Sequence, residues 1–521
     1  MTHTQGLLGR IGTPLLLAAC FGPSIAGCTL TDYGYLQSGL EDGADRTRVT
    51  LRACAAGRAD DTYVPTSPYL LEAEPNVDYV VSCARFWFKA RAESGGYYTK
   101  VAQDGTPDTA GPREPMSQSR DAYGFVRAFM LSGDEEFLEH AEYALDYLYS
   151  VWRESDGGWY SDHSSFFEHY ALLGPSAFCQ ATFDPKHCGW RDTGEALLDE
   201  KLWDSNPKQF GYYDLGGLGW KSPSGKSFNA TVDALGTHDY PQWLADPASR
   251  EQRLFDVGEN ILTRFVPLLG TNTNGFGFPD RFGTDWGPAP SYTNFSGHVL
   301  KASWNLSRFF MITGEERWRT GAEQTIEEVL KKVWNDSLDH RMTSQGGGTP
   351  EWWELEQGFT SGILAYYNAA TPELRARYLE LADESVAAFH RVYDDPVYGD
   401  AFKTPSRAGA KGDTYKAGYH TTETGYYSLL YGQLLYRHRP VSLYYRIRPA
   451  AEARSIRLTP IYSPRLRITD VTLDGAAYTA FGATKRQLDI PAGTGGIFKV
   501  TFWIDDTPGS GATQPCTLAD P

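Results

Sequence analysis

Residues 119–152 read SRDAYGFVRAFMLSGDEEFLEHAEYALDYLYSVW. An apolar helical stretch ends in the turn LSGD. The segment after it returns Phe137, Leu138, Ala141, Leu145, Leu148 and Trp152 to one face of a 3.6-residue period, and Asp134 stands where an N-cap belongs. The same order comes back at 300–334 as LKASWNLSRFFM, ITGE and ERWRTGAEQTIEEVLKKVW. It comes back again at 360–393 as TSGILAYYNA, ATPE and LRARYLELADESVAAFHRVY. Helical hairpins that cannot bury their faces alone must stack, and a ring of them closes the core without exposed ends. The pattern predicts a mainly α chain with an (α/α)6 toroid over residues 80–438; an open helical solenoid is the alternative.

Working outward, glycine-aromatic segments follow the outer-type helices: GGYY at 95–98, GGWY at 157–160, GFGF at 275–278 and YGDAF at 398–402. Glycine permits tight turns and the aromatics alternate in short strands, so these loops are expected at the rim of a central pocket. Beyond the last helix the period changes to two. VSLYYRIRP, SIRLTPIY, RLRITDVTLDG, RQLDIPAG and GGIFKVTFWI predict a small antiparallel, sandwich-like β domain at 439–506. Residues 507–521 read as a flexible tail.

Ahead of the toroid, Arg10 precedes the apolar run IGTPLLLAA, which is too short to span a bilayer and has the size of a signal-peptide core. LAAC ending at Cys20 and IAGC ending at Cys28 both look like lipoprotein lipoboxes. Lipid on Cys20 leaves six cysteines, an even set suited to an oxidising compartment; lipid on Cys28 leaves five. The reading is a signal peptide at 1–19 (alternative end at 27) and a linker or extension at 20–79. An exported bacterial lipoprotein on the periplasmic or cell-surface side follows, held to the membrane by its lipid alone. Cys179 and Cys188 are the expected disulfide, and Cys54 with Cys83 a weaker pairing.

Composition narrows the function. The 521 residues hold 48 Lys and Arg against 65 Asp and Glu, a net charge of −17, which disfavours nucleic acid and anionic membrane surfaces as partners. Hydrophobic residues at 41% and charged residues at 22% describe a globular chain with a large core and exclude general disorder. Aromatic residues at 14% suit either sugar stacking or an aromatic core. There is no P-loop, dinucleotide fingerprint, HExxH or EF-hand loop, and no CxxC pair for zinc, so neither a cofactor nor a metal is expected. Polar residues stand out within or beside apolar inner-helix stretches. They are Arg120, Asp233, His298, His420, and Glu351, Glu354 and Glu356 around the pair Trp352 and Trp353.

Taken in order, SRDAYGFVRAF with SGDEEFLEHAEYALDYL, GHVLKASWNL with TGEERW, EWWELEQGF, and YKAGYHTTETG resemble motifs of the N-acylglucosamine 2-epimerase superfamily. That group includes cellobiose and mannose 2-epimerases and aldose–ketose isomerases. The resemblance covers residues 80–438 and implies an (α/α)6 barrel and metal-independent proton transfer at the carbon beside a sugar carbonyl. It further implies His298 and His420 as the proton-transfer pair, Arg120 as a contact to sugar oxygens, and Trp304 and Trp353 as pocket aromatics. Tyr123, Asp233, Lys301, Trp352, Glu356 and Glu423 complete the expected substrate-binding set. Such chemistry needs a placed base and stabilisation of a developing enediolate; two histidines on opposite faces give epimerisation, and one shuttling on a single face gives a ketose.

Three positions depart from the family pattern. Lys301 stands in place of a glutamate, Asp233 in place of a pocket histidine, and Gln357 nearest a glutamate after the paired tryptophans. Other reactions therefore stay open on the same toroid. A polysaccharide lyase acting on an extracellular glycan would use Arg120 and Lys301 to neutralise a uronate. A glycosidase would draw its carboxyl pair from Asp233, Glu354 and Glu423. A noncatalytic glycan-binding lipoprotein is the third reading. Whichever reaction holds, the expected partner is a mono-, di- or oligosaccharide.

Overall fold

The computed structural model describes residues 57–504, apart from 59, 234, 273, 288, 290–294 and 339. The signal-peptide and lipobox readings, Cys54, Cys516 and the tail lie outside the described residues. Twelve helices form the (α/α)6 toroid among them. The outer six are α1 (Glu74–Phe88), α3 (Glu136–Ser150), α5 (Pro185–Lys201), α7 (Pro247–Asn260), α9 (Glu316–Lys332) and α11 (Pro372–Tyr393). The inner six are α2 (Pro115–Ser132), α4 (Ser165–Thr182), α6 (Leu235–Ala245), α8 (Ser296–Thr313), α10 (Trp352–Asn368) and α12 (Gly418–Tyr431). The first toroid helix starts at Glu74, ahead of residue 80.

Amphipathic pattern separates the two rings. The outer helix α3 buries Phe137, Leu138, Ala141, Leu145 and Leu148 on one side; its N-cap is Glu135, one residue past the expected Asp134, whose Oδ1 still accepts from the Glu136 N–H at 3.1 Å. The inner α10 and α12 are buried all round, which each fully buried aliphatic or aromatic side chain favours by about 1.5–3 kcal/mol. Close approach of neighbouring inner helices, including the first and last, depends on small residues. A Cβ on Gly124 of α2 would stand 2.8 Å from the Gly418 carbonyl oxygen of α12, and one on Gly174 of α4 would stand 2.6 Å from the Ser119 carbonyl oxygen of α2.

The glycine-aromatic segments make tight turns, but none of their aromatics lines the cavity. Tyr97 and Trp159 are buried in the wall, with Tyr97 Oη 2.5 Å from His140 Nδ1 and Trp159 Nε1 donating to the Leu148 carbonyl at 3.0 Å. Their polar ends are satisfied by outer helices, and this turns the rings away from the pocket. The Cys179–Cys188 disulfide joins α4 to α5. Cys83 is a buried thiol without a disulfide among the described residues, and its expected partner Cys54 lies outside them.

Beyond α12, β1 (Val441–Ile447), β2 (Arg454–Arg457), β3 (Leu466–Leu473), β4 (Ala476–Ala477), β5 (Phe481–Gly482), β6 (Gln487–Ile490) and β7 (Gly496–Ile504) form two antiparallel sheets, ordered β1-β7-β3-β4 and β2-β6-β5. This β domain packs at the C-terminal ends of the inner helices. Tyr444 covers Gly133, which ends α2 in the left-handed conformation (φ 76°). Arg448 pairs with Asp184 at 3.0 Å, and Tyr240 Oη accepts from the Tyr462 N–H at 3.1 Å. Within the barrel, buried Arg127 and Arg308 lie among Tyr123, Tyr426, Tyr240, Tyr427 and Tyr431 and fill its middle. The opposite end, where the inner helices begin, stays open.

Candidate active site

A cavity of about 640 Å³ opens there, lined by Arg120, Phe167, Asp233, Asp280, His298, Trp353, Tyr415 and His420 among others. Each inner helix from α2 to α12 contributes from its first turns or the residues just before them. The positive ends of several helix dipoles therefore gather around one space and favour an anionic group in it.

His298 is the third residue of α8. Its Nδ1 lies 3.3 Å from Asp280 Oδ1, and its ring stacks on Phe228 with centroids 4.7 Å apart. Burial alone would lower its pKa, but the Asp280 carboxylate, with Asp233 behind it, holds it above the ordinary histidine value. His420 is the third residue of α12, and its Nδ1 lies 3.0 Å from Glu356 Oε2. Burial, with Lys301 and Arg120 nearby, pushes its pKa well below the ordinary value. Trp353 lies between the two rings, 5.3 Å from His298 and 6.1 Å from His420 by centroid. With each Nδ1 engaged by a carboxylate, Nε2 is the atom each imidazole offers to the cavity.

Beneath this surface, Glu356 and Glu423 form a buried pair, both pushed upward, first by burial and, for Glu356, then by Glu423. Gln357 Nε2 donates to Glu356, and Tyr123 Oη donates to Glu423 at 3.1 Å. Lys301 Nζ donates to Asp233 Oδ1, to the Asp233 carbonyl at 3.2 Å and to Tyr170 Oη at 3.4 Å, while Tyr170 donates to Asp233 Oδ1 at 2.9 Å. Despite its burial, Asp233 is held below the usual carboxylate value by Lys301. Lys301 and Asp233 are thus a matched, buried ion pair.

Of the sequence-derived set, Arg120, Asp233, His298, Trp352, Trp353 and His420 line the cavity, whereas Tyr123, Lys301, Trp304, Glu356 and Glu423 are not among its lining residues. Trp304 is no pocket aromatic. Its Nε1 donates to Gln357 Oε1 at 2.6 Å, and the Arg308 guanidinium lies 4.2 Å from its ring. Lys301 is committed to Asp233 and is not among the lining residues, whereas the lyase reading would use it to neutralise a uronate. Glu354 is a capping residue: it accepts from the Glu351 N–H at 3.2 Å, from the Gly297 N–H at 3.3 Å and from Ser296 Oγ, which removes it from a glycosidase carboxyl pair. Arg120 lies over Tyr170 at 4.1 Å and donates to the Tyr415 carbonyl. Asp121 beside it accepts from the Gly418 N–H at 2.9 Å and anchors the start of α12, and burial raises its pKa to about 8.

Sequence reading missed Asp280, Tyr170, Phe228, Phe167 and Tyr415. Asp280 follows the GFGF turn as part of FPDR, where nothing in the local pattern marks it; Tyr170 sits one turn into the apolar run SFFEHYALLG and reads as core.

Two groups among the described residues bring metal-type ligand atoms within 4.8 Å of one another, namely Glu356, His420 and Glu423, and Glu195, His238 and Asp239. In the first, hydrogen bonds from Gln357 and Tyr123 already occupy the carboxylates, and the Lys301 cation acts on all three residues. The second lies away from the cavity.

No protein-family model matches the chain. A curated cellobiose 2-epimerase from Eubacterium cellulosolvens is 21% identical over 342 residues, 58% of this chain and 82% of that relative. Among solved structures, a D-mannose isomerase superposes with a TM-score of 0.58 at 18% identity, covering 70% of this chain and all of its own (100%). The cellobiose 2-epimerase of Spirochaeta thermophila DSM 6192 gives 0.57 at 18% identity, covering 71% of this chain and 99% of its own. A family 76 glycoside hydrolase from a bovine Bacteroides thetaiotaomicron strain is more distant, with a TM-score of 0.50 at 15% identity over 70% of this chain and 78% of its own.

Proposed function

We propose that this chain, which has the fold and motif order of the N-acylglucosamine 2-epimerase superfamily, is a carbohydrate 2-epimerase or aldose–ketose isomerase. It works on the carbon next to the carbonyl of an open-chain reducing sugar. The observation that carries this reading is the pair His298 and His420 on one cavity, their proton affinities pushed apart. Two titratable groups driven in opposite directions are an acid and a base. In the tautomer that donates Nδ1–H to Glu356, His420 presents a neutral Nε2 to take the proton. His298, its proton affinity raised by Asp280, presents the proton to give. The helix N-termini and Arg120 stabilise the enediolate oxygens formed between those steps. The named activities of the relatives point to a free mono- or disaccharide. We further propose that the chain works outside the cytoplasm, tethered by lipid at Cys20; the Cys179–Cys188 disulfide suits an oxidising compartment.

The test is incubation with reducing mono- and disaccharides in deuterated water. Solvent deuterium at carbon 2 of an epimer, or on the matching carbon of a ketose, is the expected outcome, with turnover lost in His298→Asn and in His420→Asn. Absence of label from every sugar, or ultraviolet growth from an unsaturated uronate, would overturn the reading.

A further inference from the structure

Outside the cavity, four buried side chains of metal-ligand type meet where α4, α5 and α6 touch. We propose that Glu195, His238 and Asp239, with His169 beside them, bind a divalent transition-metal ion of the zinc class. His238 Nε2 lies 3.9 Å from both Glu195 Oε1 and Asp239 Oδ1. His169 packs against His238 with ring centroids 5.5 Å apart and planes at 27°, and it is 1% exposed.

Neither nitrogen of His169 has a hydrogen-bond partner, and Asp239 Oδ2 and Gln242 Oε1 are likewise buried without one. Buried polar atoms almost always find partners, and an imidazole with both nitrogens unmatched beside two carboxylates and a second imidazole is an unusual concentration of unmet demand. The fixed cations satisfy only part of it. Arg250 takes Glu195 Oε2, and Arg253 is directed to Asp199 at 3.3 Å. Gln242 Nε2 donates to Glu195 Oε1, the one contact a metal would share.

Geometry and chemistry favour zinc over calcium. Zinc takes imidazole nitrogen and carboxylate oxygen at about 2.0–2.2 Å, which sets neighbouring tetrahedral ligands roughly 3.4 Å apart. The 3.9 Å separations close to that value with small side-chain shifts. Calcium's six to eight oxygens are not present among these residues. The site also has a structural use. The disulfide holds the α4–α5 hairpin at its turn; a metal between His169, Glu195 and the α6 pair would fasten its far half to α6, a helix that follows a π turn and contains Pro241.

The untagged full chain, stripped with chelator, is titrated with Zn²⁺ by calorimetry and with Co²⁺ by visible absorption. One metal per chain at micromolar or tighter affinity is expected, with a melting temperature that rises with Zn²⁺. Glu195→Gln and Asp239→Asn should each weaken binding at least tenfold, while Glu356→Gln in the other cluster leaves it unchanged. Failure of the wild-type chain to bind Zn²⁺, binding indifferent to both Glu195→Gln and Asp239→Asn, or loss of binding in Glu356→Gln would overturn the proposal. Should Asp239→Asn not fold, the wild type and Glu195→Gln decide.

Discussion

His420 Nδ1 lies 3.0 Å from Glu356 Oε2, and the two residues come from different inner helices, α12 and α10. The carboxyl group engages Nδ1 and so supports the orientation that offers Nε2 to the cavity, as the proposed reaction needs. Glu356→Gln keeps the shape and loses that support. Its kcat should fall by about 10²-fold or more, with KM within a few-fold of wild type and an unchanged circular dichroism spectrum. A variant of full kcat would separate Glu356 from proton transfer.

The pH profile follows from the same two rings. Turnover started by His420 needs that ring neutral and His298 protonated. The first condition fails only far on the acid side, because the His420 pKa is depressed; the second fails as pH rises through the elevated His298 pKa. The ratio kcat/KM should therefore hold through mildly acidic and neutral pH and decline on the alkaline side. Asp280→Asn removes the charge that raises His298, so the alkaline limb should move to lower pH. A limb that stays in place would show that His298 is not the group being read.

Lys301 and Asp233 offer a stability test. Lys301→Met leaves a buried carboxylate without its cation, a loss of about 3–5 kcal/mol, measurable as a lower urea midpoint. Adding Asp233→Asn should recover part of that loss. Additive losses in the double variant would mean that the pair is not coupled.

Fold and site were legible to different depths. The hairpins announced themselves because one buried face per helix leaves a 3.6-residue signature, and the histidines stood out as polar residues in apolar runs. Glu354 and Trp304 misled because a carboxylate beside two tryptophans, or an indole on an inner helix, looks the same whether it faces a cavity, caps a helix or bonds to Gln357. Asp280 was invisible because its role comes from a loop carried by the fold to His298, over a sequence separation that no local period records.

Reduction of Cys179–Cys188, or Cys179→Ser with Cys188→Ser, should lower stability by about 2–3 kcal/mol, from loop closure over the sequence separation of 9. Activity at low temperature should be nearly retained, since neither sulfur lines the cavity. Paired denaturant curves and rates, with and without reductant, check this.

The arginine and tyrosine layer, backed by the β domain, closes one end of the toroid among the described residues and leaves a blind cavity at the other. Under the proposed function, a reducing sugar would enter this blind cavity carbonyl end first and leave by the same end, so that longer saccharides would be met at their termini and not along their length.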